Sequence, residues 1–118
     1  MPCGCGGEMK DQIRRLSMRP YPCGEVWVCK SMKVLKREFE AITKEKWSHE
    51  KPSEGLCVTV NNSGECVYLV YAPRVSILAH ELSHAILDAF DHIGSDPREG
   101  NGEPFCYMLS TLMEEATK

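Results

Sequence analysis

The feature that most constrains this chain is the stretch SILAHELSHAILDAFDH, from Ser76 to His92. At about 100° per residue, with His80 at zero, Val75, Leu78, Leu82, Ala85, Ile86, Ala89, Phe90 and Ile93 fall between roughly 140° and 280°. The stretch therefore reads as a helix from about Arg74 to Ile93 whose broad apolar face must be buried against other elements. On the opposite side His84 falls near 40°, Asp88 near 80° and Glu81 near 100°. Histidines merely facing water would be expected among lysines and arginines, as on the helix read below over residues 31–47. Residues 75–93 contain neither. A polar face made of His, Glu, Asp and Ser alone suits a bound divalent cation.

The partners for that face are short. GEVWVC, from Gly24 to Cys29, reads as a strand rich in β-formers. Ser31 offers an N-cap for a helix to about Trp47, with Met32, Leu35, Phe39 and Ile42 at spacings of three and four. LCVTV (56–60) and ECVYLVYA (65–72) flank NNSG, a hairpin signal with Gly64 free to take positive φ. A last helix starts at Glu103-Pro104, where the missing proline N–H costs nothing. KDQIRRLSM suggests a short helix, and residues 1–23 begin as an irregular Cys- and Gly-rich segment. The expectation is an α+β fold in one domain spanning 1–118. A small antiparallel sheet or hairpin would pack on the central helix and the C-terminal helix.

The 118 residues are 42% hydrophobic and 26% charged, ordinary values for a globular chain. A formal net charge of -3 gives no electrostatic case for nucleic acid or for a membrane surface. The amino terminus MPCGCGGEMKDQ has no charged leader followed by an apolar run, so the expected compartment is the cytoplasm.

His80-Glu81-Leu82-Ser83-His84 has the His-Glu-x-x-His pattern, which a shuffled chain of this composition shows about once in a hundred arrangements. Histidines at i and i+4 stack one turn apart, so two imidazole nitrogens can converge on one ion. A catalytic zinc takes three protein ligands and leaves one position for water. Glu103 is the favoured third ligand: a loop long enough to reverse direction precedes it, and it shares a helix face with Tyr107, Ser110 and Glu114. Asp88 is the main rival, though it is better placed to orient a ligand histidine. Glu99 is the third choice. Manganese, iron or cobalt would suit the same ligands.

HELSHAILDAFDHIG followed by NGEPFCYMLSTL resembles the gluzincin type of zinc peptidase. More narrowly, it is similar to small phage-encoded zinc metallopeptidases carrying HExxH, a short loop and a Glu-Pro-Phe-x-Tyr helix. The match comprises His80, Glu81, His84, Gly94, Glu103, Pro104, Phe105, Tyr107 and Leu109, across roughly residues 65–115. The resemblance implies a minimal zincin-like domain with zinc held by His80, His84 and Glu103, Glu81 as general base, and a peptide or protein substrate in the host cytoplasm. Tyr107 would be the donor to the developing oxyanion, with His92 and Tyr71 as weaker candidates. Strand 65–72 could receive an extended peptide by strand addition. The alternative is a catalytically inert zinc-binding phage protein in which the ion staples two helices and the surface binds a partner protein.

The seven cysteines are an odd number, so a disulfide framework is a poor reading. Cys3, Cys5, Cys23 and Cys29 could close a second, structural zinc site. Free or partly buried thiols are the simpler account, since neither spacing is Cys-x2-Cys.

Overall fold

The computed structural model describes residues 12–21, 24–48 and 54–118. Within them lie β1 (Ile13–Ser17), β2 (Glu25–Cys29), α1 (Met32–Thr43), β3 (Leu56–Asn62), β4 (Glu65–Tyr71), α2 (Val75–His92) and α3 (Glu103–Ala116). A short 3-10 turn, Glu99–Gly102, leads into α3. The α+β expectation holds, in one sheet of order β1-β2-β4-β3.

That sheet is mixed rather than antiparallel. β3 and β4 form the expected hairpin, with Asn62 opposite Glu65, and Gly64 N–H donates to Asn61 Oδ1 at 2.9 Å. β1 and β2 are also antiparallel, but β2 and β4 run parallel. Leu56 lies opposite Tyr71, so β3 enters at the end of the sheet where β2 stops. The hairpin then reverses the chain, so its second strand runs parallel to β2.

Residues 13–17, read from sequence as helical, form an edge strand instead. Alternation explains why: Ile13 packs towards α1 and Leu16 towards α2 and α3. The two arginines between them split likewise. Arg14 donates to the Glu115 carbonyl at 2.9 Å, and the Arg15 guanidinium lies 4.1 Å from the centre of the Trp27 ring. Helix α1 starts where expected, with Val34 N–H donating to Ser31 Oγ at 3.2 Å. It ends at Thr43 rather than near Trp47, because Lys44 takes a left-handed conformation. Trp47 then turns back edge-on to Phe39, their ring centres 5.0 Å apart.

The sheet is covered on both faces. Trp27, Val60, Val67 and Leu69 pack against Val34, Leu35 and Phe39 of α1. Leu16, Val26, Tyr68 and Val70 pack against Leu78, Leu82, Ile86 and Phe90 of α2 and Met108 and Leu112 of α3. Strand parity thus sorts these side chains between two cores. No helix among the described residues is long and apolar enough to cross a membrane.

Candidate functional site

Helix α2 lies along the edge strand β3 and runs in the same direction. Glu81 lies beside Gly55 at the start of β3, and seven residues further on Asp88 accepts a hydrogen bond from Thr59 Oγ1 at 3.0 Å. Gly55 permits the close approach. A Cβ there would lie 2.5 Å from Ile77 Cγ2, 2.9 Å from the Tyr71 carbonyl oxygen and 3.2 Å from Glu81 Oε2.

On the outer side of α2, His80 and His84 are exposed, and their Nε2 atoms are 3.2 Å apart. Two ligands held at about 2.0–2.1 Å by one tetrahedral ion stand about 3.3–3.4 Å apart. The two rings stand nearly perpendicular and the contact is a hydrogen bond in this structure; its length is close to the separation that one ion would require. Glu81, next to His80 in sequence, is 7% exposed and is the buried charged residue of the described core. With Glu54, Gly55, Ile77 and His80 it lines a pocket of about 330 Å³. Arg74, at the start of α2, donates to Glu54 Oε2 at 2.6 Å and holds that rim in place.

Cys57, two residues along β3 from Gly55, faces α2. Burial first, then the carboxylates of Glu81 and Asp88, push its thiol up to about 12. Nothing in the sequence singles out Gly55, Cys57 or Thr59. The period-two pattern of LCVTV places Cys57 and Thr59 on one face, but which helix that face meets is not legible there.

The third ligand does not join the histidines. Glu103 lines a separate pocket of about 370 Å³ with Tyr107. Strand register explains the separation. That pocket includes Arg19, Pro20 and Tyr21, which continue from the carboxyl end of β1, whereas Gly55 precedes the amino end of β3. β1 and β3 are opposite edges of the sheet, and Ser17 is level with Val60 through Glu25 and Val67. Three strand spacings of about 4.8 Å and five residues of about 3.3 Å put the two corners on the order of 20 Å apart. Among the described residues no group of three His, Cys, Asp or Glu side chains could hold a metal ion. The two imidazoles are brought together; the three-ligand set is not assembled.

The other expected groups are placed as follows. Tyr107 is 74% exposed and shares the pocket of Glu103 rather than that of Glu81. Asp88 bonds Thr59. His92 and Glu99 are exposed at the far end of α2 and in the 3-10 turn. Tyr71 packs on the α1 side of the sheet, away from α2. β4 has β2 on one side and β3 on the other, so it has no edge for an added strand; β3 is the strand at the sheet edge. Cys29 is buried against α1, its thiol pushed up to about 12, chiefly by burial. Its expected partners Cys3, Cys5 and Cys23 lie outside the described residues.

No family model, no curated protein and no solved structure matches this chain.

Proposed function

We propose that this protein is a metal-dependent amide hydrolase, a minimal zinc peptidase in which His80 and His84 hold the ion and Glu81 handles the proton. One observation carries the reading: two exposed imidazole nitrogens 3.2 Å apart on a helix face without lysine or arginine. When bound, zinc lowers the pKa of water and polarises a carbonyl oxygen. Glu81 brings a carboxylate, withdrawn from bulk water, next to the first histidine, where a proton acceptor is needed. Glu54 and Gly55 form the opposite wall, so a peptide group entering there meets the β3 edge.

Glu103 becomes a ligand only if the α2–α3 connection moves. The alternative, an inert ion stapling α2 to α3 through Glu103, needs the same movement; those helices already pack through Ala85, Ile86, Met108 and Leu112. The test is zinc content and peptide turnover for wild type, His80→Ala, Glu81→Gln and Glu103→Ala. Expected are one zinc per chain in wild type and Glu81→Gln, little in His80→Ala, and turnover absent from Glu81→Gln. Retention of zinc by Glu103→Ala assigns the site to the histidine pair. Wild type that takes up no offered zinc overturns the reading, and zinc without turnover overturns the hydrolase.

A further inference from the structure

The second corner carries a pocket of its own. Four flat, rigid side chains, Pro20, Tyr21, Pro104 and Tyr107, line a pocket of about 370 Å³ whose floor is the buried Met108. Two walls come from the segment after β1 and two from the first turns of α3. Tyr21 is braced from behind by Phe90, with ring centres 5.3 Å apart and planes inclined at 50°. Tyr107 is 74% exposed, a large aromatic ring left in solvent at the pocket mouth. Arg19 and Glu103 add one charge of each sign, and neither takes part in an ion pair among the described residues.

We propose that this pocket docks a proline-rich segment of a partner protein in the polyproline II conformation, with an acidic residue flanking it towards Arg19 and a basic one towards Glu103. Rigid rings receive prolyl rings with little entropy to lose on either side, because the polyproline helix is already extended before binding. Exposed tyrosine supplies large contact area on few rotatable bonds, which is why such residues dominate binding energy. The two uncommitted charges of opposite sign complement a segment charged at both ends and fix its direction. The volume lies within the range of ligand pockets, at its small end, which suits a few residues rather than a folded domain. This inference does not depend on the metal reading.

The test titrates the blocked hexapeptide Asp-Pro-Pro-Leu-Pro-Lys into the full ¹⁵N-labelled chain, followed by NMR. Its counterpart with every proline replaced by alanine serves as the control. Expected are saturable shifts at Tyr21, Met108 and Thr111, with affinity about tenfold weaker for the alanine peptide and for Tyr107→Ala. Because Tyr107 is largely in solvent, that variant is expected to fold. Arg19→Glu is expected to weaken the hexapeptide and to favour a peptide with lysine at its first position. His80→Ala, which removes a metal ligand, is expected to leave peptide affinity unchanged. Absence of saturable shifts, or equal binding of the alanine peptide, overturns the proposal. So do shifts at these residues that grow with protein concentration alone, which would assign the pocket to a second copy of the chain.

Discussion

The α2–β3 corner and the β1–α3 corner are built on the same face of one sheet, yet they are closed in opposite ways. At the first, backbone and helix come so near that only a glycine fits at position 55, a carboxylate is buried, and the polar tips are two imidazoles already within ligand distance of one another. At the second, prolines and tyrosines stand apart around an apolar floor, and its charged groups are uncommitted. Tight approach with a converged polar pair suits a small ligand such as an ion. A wider cleft with rings suits a chain segment. The contrast teaches that Glu103 and Tyr107 belong with the second kind of surface.

The strongest test of this contrast is to remove a core side chain that stands on the helix of the first corner and packs against the second. Phe90 is 1% exposed, sits on the helix that carries the histidine pair and packs against Tyr21. Phe90→Ala is expected to cost about 3–5 kcal/mol in denaturant unfolding. The milder Phe90→Leu, which keeps the fold, should weaken hexapeptide binding while leaving zinc affinity unaltered, because the histidine spacing is set within one helical turn. Equal losses at both corners would show that they are a single site.

Gly55→Ala probes the tight corner alone. The new Cβ would fall 2.5 Å from Ile77 Cγ2 and 2.9 Å from a backbone oxygen, so β3 or α2 has to shift. Overpacking of this kind costs about 1–3 kcal/mol. Thermal unfolding should register it, and the displaced Glu81 should lower turnover with little change in zinc content. A Gly55→Ala variant as stable as wild type would mean that the strand start yields freely, and the corner would not be tight.

The buried thiols probe the tight corner and the α1 side of the sheet by pH. Cys57, at the α2–β3 seam, and Cys29, under α1, both have thiols raised to about 12, above the ordinary thiol value. An unfolded chain therefore gives up these protons first as pH rises, and the stability they contribute is intact below the unfolded value near 9 and lost between there and about 12. The slope is about 1.4 kcal/mol per pH unit for each thiol in that window. Cys57→Ser should remove part of that slope. Cys106, exposed on α3, should be alkylated quickly in the native protein while Cys57 and Cys29 wait for unfolding. Rapid native alkylation of Cys57 would show that the seam opens.

What was legible in the sequence is what a few neighbouring residues decide. The two histidines approach each other because they are four apart on a helix, and NNSG turns the hairpin with Gly64 at positive φ. What was not legible depends on distant segments. Ile13 and Leu16, three apart, look helical until one sees that they point to opposite faces of a sheet. The parallel pairing of β2 with β4 joins segments some forty residues apart and leaves no periodic trace. Glu103 sits on the predicted face of α3 and that face is exposed, as the wheel requires. Where the face points is set by the connection before it, in which Gly100, Asn101 and Gly102 all adopt positive φ. No spacing rule carries that information.

The smallest expected effect is also the most discriminating for Asp88, which spacing alone would have put behind a ligand histidine. In the structure its carboxylate accepts from the Thr59 hydroxyl, tying the middle of α2 to β3 at an exposed position. Thr59→Val keeps the β-branched shape and removes only the donor, so the loss should be about 0.5–1 kcal/mol, since water replaces the hydroxyl. If Asp88 does no more than tie helix to strand, zinc affinity stays at the wild-type value in Thr59→Val and in Asp88→Asn alike. If it orients an imidazole, freeing it from Thr59 should strengthen zinc binding, and Asp88→Asn should weaken it by about tenfold or more. The structure, with Thr59 rather than a histidine at 3.0 Å, favours the first outcome: a strut for the tight corner, with the histidine pair standing on its own helical geometry.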